Sequence, residues 1–146
     1  MNRLNVLIYQ EHASQQISLH QAFNAQGLFN VRVAGDMRAA VRCLGRDQPL
    51  DLLVLDHAMA GHDCNALLEL LERQIAPKAL LFVGRPRGHQ PNLANQARVH
   101  GLWVLAELPW PVSAVALEQA LRCLSSMGQA GTSGEFKTVM LCAHAR

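Results

Sequence analysis

Two acidic side chains stand where a run of apolar residues stops. Asp56 closes Leu52-Leu53-Val54-Leu55, and Glu11 follows Val6-Leu7-Ile8-Tyr9 with only Gln10 between. A carboxylate in such a place can act as a nucleophile, can hold a divalent cation together with a second acid, or can simply cap the turn that follows. Around Asp56 the chain adds His57 and His62, which lack metal-ligand spacing and read as solvated loop histidines. The loop Gly84-Arg85-Pro86-Arg87-Gly88 offers Arg85 and Arg87 as cations that could reach Asp56, with a solvated loop as the plainer reading. Cys43, Cys64, Cys123 and Cys142 show neither C-x-x-C nor paired Cys/His spacing, and are expected to be reduced, mostly buried thiols.

The elements that must position these residues follow from periodicity. Leu4 to Tyr9 reads as a strand buried on both faces, and Leu19 and Phe23 mark a helix from about Ser14 to Gln26, stopped by Gly27. Phe29 to Ala34 is a second strand, and Asp36 is the expected N-cap of a helix carrying Ala40, Val41 and Leu44. Leu50 to Leu55 delivers Asp56, and a helix beginning at Asp63 or Cys64 carries Leu67, Leu71 and Ile75 on one stripe. Ala79 to Val83, a weak helix from Asn92 to His100, a strand from Trp103 to Leu105 and a helix opened by Pro111 complete the alternation. Five buried strands linked by five helices predict an α/β domain with a doubly wound parallel sheet, because parallel strands need crossover helices on both faces. Ligands of such sheets bind beyond the carboxyl ends of the strands, where Gln10, Glu11, Asp56, Gly84 and Leu108 fall.

Composition agrees with one domain. The chain has 146 residues, 50% of them apolar and 16% charged, which is too apolar for intrinsic disorder. Its 13 Lys and Arg against 11 Asp and Glu form no basic run, so nucleic acid is not an expected partner. No apolar stretch approaches the roughly 18 residues of a membrane span and no secretory leader opens the chain, so a soluble cytoplasmic protein is expected. The compact domain is expected over residues 1–124, with 125–146 as a flexible linker or tail of Ser/Gly type; Glu135 to Ala145 is too short for a second domain.

Three segments together carry a resemblance: Val6-Leu7-Ile8-Tyr9-Gln10-Glu11-His12, then Asp51-Leu52-Leu53-Val54-Leu55-Asp56-His57-Ala58-Met59-Ala60-Gly61-His62-Asp63, then Gly101 through Leu108-Pro109. From about Asn2 to Leu124 the chain resembles the receiver domain of two-component response regulators. The resemblance implies the flavodoxin-like topology, Asp56 as acceptor of a phosphoryl group from a histidine kinase, and Mg²⁺ held by Glu11, Asp56 and the backbone carbonyl of Ala58. It also exposes departures. Gln10 replaces one acid of the usual pair, Gly84 replaces the phosphate-reading hydroxyl, Leu108 stands at the place matched to the family's Lys before Pro, and Leu105 near that of its rotating aromatic. The switch should therefore be broken, metal binding weak, and Arg85 the substitute cation if one exists.

Three functions are compatible with these residues. The first is an atypical receiver that regulates an output domain, a homodimer or another signalling protein by contact, with weak or no phosphorylation at Asp56. The second is an ordinary phospho-accepting response regulator. The third is an enzyme, either an Asp-dependent phosphatase or a flavodoxin-like cofactor module. Against the enzyme, Ala58 occupies the place of the second acid that such a phosphatase needs, and the loop after the first strand lacks a phosphate cradle. An apolar docking or dimer surface is expected around Leu105 and Leu108.

Overall fold

A computed structural model of the chain describes residues 3–45, 49–73, 77–86 and 88–130. Strands and helices alternate as β1 (Val6–Tyr9), α1 (Ala13–Ala25), β2 (Val31–Ala34), α2 (Met37–Leu44), β3 (Leu52–Asp56), α3 (Gly61–Arg73), β4 (Ala79–Val83), α4 (Leu93–Val99), β5 (Val104–Leu108) and α5 (Ala114–Ala130). The strands form one parallel sheet in the order β2-β1-β3-β4-β5. This is the expected doubly wound arrangement, and its strand order reverses between β1 and β3.

Each face of the sheet has its own core. Val6, Ile8, Leu52, Val54, Leu81 and Val83 pack with Leu19 and Phe23 of α1 and Leu117, Leu121 and Leu124 of α5. On the other face Leu7, Tyr9, Leu53, Leu55 and Phe82 meet Cys64, Leu67 and Leu71 of α3, Leu93 and Ala97 of α4, and Ala40 of α2. Strands covered on both sides need apolar residues at every position, which is why β1, β3 and β4 read as continuous runs rather than alternations. Asp36 caps α2 as its residue type demands, accepting from Ala39 N at 2.8 Å, and Asn92 caps α4 in the same way, accepting from Asn95 N at 3.0 Å.

The carboxyl-terminal third differs from expectation. The fifth strand is not Trp103 to Leu105 but Val104–Leu108. Consecutive β4 residues Leu80 and Leu81 pair with Val104 and Ala106, leaving Leu105 as an extra, bulged residue. The bulge blurs the period-2 pattern on which a strand is recognised. The last helix begins at Ala114, with Ser113 Oγ accepting from Ala116 N at 3.2 Å, and it continues to Ala130. The expected linker thus starts inside the helix, since Ser125, Ser126, Met127, Gln129 and Ala130 extend a helix that packing has already nucleated, and the single Gly128 does not end it. Residues 131–146, Ile75, Arg87 and Cys142 lie outside the described residues. Cys43 and Cys64 are free thiols, whereas Cys123 is disulfide-bonded, against the expectation of four reduced cysteines; pairing depends on proximity in space, which spacing along the chain does not encode. Among the described residues no helix is long and apolar enough to cross a membrane.

Candidate functional site

The carboxyl ends of β1 and β3, side by side at the reversal point, bring Gln10, Glu11 and Asp56 together. Asp56 is the last residue of β3 and is 5% exposed. A buried carboxylate needs donors on both oxygens, and this one has them. Oδ2 accepts from Gln10 Nε2 at 2.7 Å, and Oδ1 accepts from the backbone N of Ala58 at 2.8 Å. The orientation of the Gln10 amide is fixed by its partners. Its Nε2 faces an acceptor-only carboxylate, while its Oε1 takes the His12 backbone N–H at 3.2 Å. Gln16 Nε2 in turn donates to the Gln10 carbonyl at 2.6 Å, so the first turn of α1 holds the end of β1 in place.

Glu11 sits at the exposed rim of a small cavity of about 20 Å³, lined also by Tyr9, Gln10, His12, Asp56, Ala58 and Met59. That is room for a single water-sized occupant. Tyr9 lies beneath it, and its hydroxyl is buried without a partner among the described residues. Burial pushes the Tyr9 phenol up to about 12, helped by the negative charges of Asp63, Glu11 and Asp36. The residues do not fit a resident Mg²⁺. An amide N–H, which cannot ligate a cation, is turned onto the Asp56 oxygen that a metal would need, and among the described residues no three His, Cys, Asp or Glu side chains are grouped to hold a metal.

Two of the matched positions stand elsewhere than expected. Leu108 and Leu105 are 7% and 5% exposed and pack in the α1/α5 core, so Leu108 cannot stand over Asp56, and the two offer no docking surface. The side chain that the loop after β5 brings to Gly84, on the side of that residue nearest Asp56, is that of Trp110. A Cβ placed on Gly84 would lie 2.9 Å from Asp56 Oδ1, 3.0 Å from Trp110 Nε1 and 3.1 Å from Trp110 Cδ1. Asp56 Oδ1 and the indole edge thus both border the space that a side chain at residue 84 would fill, and the φ of +80° there suits glycine. The bond from Gly84 N to the Leu108 carbonyl, 2.9 Å, ties this loop to the end of β5. Pro109-Trp110-Pro111 contains two prolines, and matching on the second instead of the first would have placed Trp110, not Leu108, at the site.

His57 is also not a solvated loop residue. It is 1% exposed, its ring lies 4.9 Å from that of Phe82, and its Nε2 meets Glu107 Oε1 at 2.9 Å. Glu107 is the β5 residue that faces α4, where Arg98 NH2 donates to its Oε2 at 3.1 Å. Burial raises the Glu107 pKa, but hydrogen bonds from Arg98 and His57, and the charges behind them, outweigh it and hold the carboxyl below its ordinary value. His62 is the solvated residue expected, with Asp63 beside it at 3.3 Å. Arg85 is exposed, and the two oxygens of Asp56 are bonded by Gln10 and Ala58 rather than by it.

Known structures share this fold. The receiver domain of a Francisella response regulator is 19% identical over 87% of this chain and 100% of that one, with a TM-score of 0.65. A response regulator from Colwellia psychrerythraea is 19% identical over 87% of this chain and 98% of that one, with a TM-score of 0.64. The chain has the receiver fold. A Burkholderia pseudomallei protein described as related to pilus assembly has the same fold, at 23% identity over 86% of this chain and 91% of that one, with a TM-score of 0.67. No protein-family model and no curated protein sequence matches the chain.

Proposed function

We propose that this receiver-fold domain is a signalling module that regulates an output domain or partner protein by contact, with little or no phosphorylation at Asp56. The observation that carries this reading is the Gln10 amide seated on Asp56 Oδ2 at 2.7 Å. A neutral protein group takes the place in which a receiver of ordinary type needs a cation, so charge developing during phosphoryl transfer would meet no compensating metal. The same geometry does not favour an Asp-dependent phosphatase, because Ala58 offers Asp56 a backbone N–H and no second acid.

Incubation with a small acyl phosphate and Mg²⁺, followed by intact-mass measurement, tests the reading. The expected result is little or no adduct. A stoichiometric, Mg²⁺-dependent adduct that Asp56→Asn abolishes would overturn it in favour of an ordinary phospho-accepting response regulator. That second reading keeps one observation on its side: the Ala58 N–H already points at Oδ1, where it would also serve an acyl phosphate.

A further inference from the structure

The indole of Trp110 is a half-buried group that the site does not otherwise use. Its Nε1 is enclosed yet has no hydrogen-bond partner among the described residues, although buried N–H groups are nearly always satisfied. Its Nε1 and Cδ1 edge lies on Gly84, on the side of that residue where Asp56 Oδ1 also lies. The ring packs with the core that Leu108, Leu117 and Leu121 belong to, beside Val112. It is thus held by shape rather than by a polar bond.

Resting on the reading of Asp56 as an inert acceptor, we infer that Trp110 is the residue that closes this site to phosphoryl donors, by filling the space beside Oδ1 that an incoming phosphoryl group requires. In the transfer that it blocks, a lone pair of Asp56 Oδ1 would form the new O–P bond while the P–O bond to the acyl group breaks. The acyl group would leave with that electron pair as a carboxylate, and no proton need move. The reaction needs open space on the far side of Oδ1 for the three phosphoryl oxygens. Ala58 N bonds Oδ1, Gln10 bonds the neighbouring Oδ2, and the indole edge shares with Oδ1 the space beside Gly84. Because the indole N–H makes no bond among the described residues, volume and not donation is the operative property, and phenylalanine should close the site nearly as well.

Gln10→Asp supplies the second acid and isolates the steric question. With Mg²⁺ and a small acyl phosphate, Gln10→Asp alone should remain unlabelled by intact mass. Gln10→Asp/Trp110→Ala should acquire a single adduct that Asp56→Asn removes, and Gln10→Asp/Trp110→Phe should stay close to Gln10→Asp. Equal labelling of Gln10→Asp with and without Trp110→Ala overturns the inference, as does labelling of the Phe variant to the extent of the Ala variant. A measurement that does not alter Trp110 guards against a misfolded variant. In Trp103→Phe, acrylamide should quench Trp110 fluorescence several-fold less than free indole, and quenching as efficient as that of free indole overturns the inference. Labelling of the unaltered chain would instead overturn the inert-acceptor reading itself.

Discussion

Gln10 and Asp56 meet across 2.7 Å from the ends of adjacent central strands, an amide donating to a carboxylate that is 5% exposed. The bond satisfies the acid without bringing a charge to it. The site is therefore self-contained where a metal-dependent site would be unfinished.

Removing the amide should expose that dependence. Gln10→Ala leaves a buried carboxylate oxygen without a donor, at a cost of about 1–3 kcal/mol in urea unfolding. Gln10→Asp should be destabilised in chelator, since two carboxylates then face each other, and should recover with millimolar Mg²⁺. Stability unchanged in both variants, with no response to Mg²⁺, would show that the bond contributes nothing.

Divalent metal should bind the unaltered chain weakly. Only Asp56 and the exposed Glu11 remain as side-chain acids, and both Asp56 oxygens already accept hydrogen bonds. Calorimetry should give a millimolar Kd or weaker for Mg²⁺; a micromolar value contradicts the geometry.

A hydroxyl cannot simply be restored at the end of β4. Gly84→Thr would force φ of +80° on a β-branched residue and drive its Cβ within 2.9 Å of Asp56 Oδ1. The variant should lose roughly 1–3 kcal/mol or more, read from the urea midpoint. A variant as stable as the parent would mean that the carboxylate or Trp110 yields freely.

Acid should loosen the α4 edge. Glu107 titrates below its ordinary 4.5 in the fold, so the unfolded chain takes up the proton first. Its contribution is complete above about pH 4.5 and is lost as pH falls through the lower, folded value. Glu107→Gln should flatten the decline in urea midpoint between pH 5 and pH 3, by roughly 1 kcal/mol or less because the Arg98 arm is partly solvated. An unchanged slope would remove Glu107 from the account.

Thiol chemistry should separate the two free cysteines. Cys64 is fully buried and burial pushes its thiol up to about 11, whereas Cys43 is half-buried. A small alkylating reagent at pH 8 should label Cys43 well before Cys64 in peptide maps of the folded protein, and equal rates would contradict this.

Much of the fold was legible because its strands are buried on both faces. Ala79 to Val83 is a continuous apolar run that no amphipathic helix would carry, and Asp36 and Asn92 announce their helices by residue type alone. Asp56 was legible for the same reason, as the polar stop to a buried run. What stayed hidden depends on which way a side chain turns. His57 lies one residue beyond a strand and reads as loop, yet points inward to Phe82 and Glu107. The Gln10 amide was visible as a departure, but its role as a donor became clear only once His12 N–H fixed which end faces Asp56. Spacing does not distinguish Trp110 from Leu108, because each precedes a proline and only the folded loop shows which one reaches Gly84.

The extra residue at Leu105 acts on β5 as a half-period phase step. Before it, Val104 points to the α4 side; after it, Ala106 and Leu108 point to the α1/α5 side and Glu107 to α4. Deleting Leu105 alone would reverse every later side chain of the strand. The Glu107 carboxylate would enter the apolar core, and Leu108 would face His57 and Arg98. One backbone residue that touches neither acid nor base thus decides whether α4 is fastened to the sheet by charge or by grease.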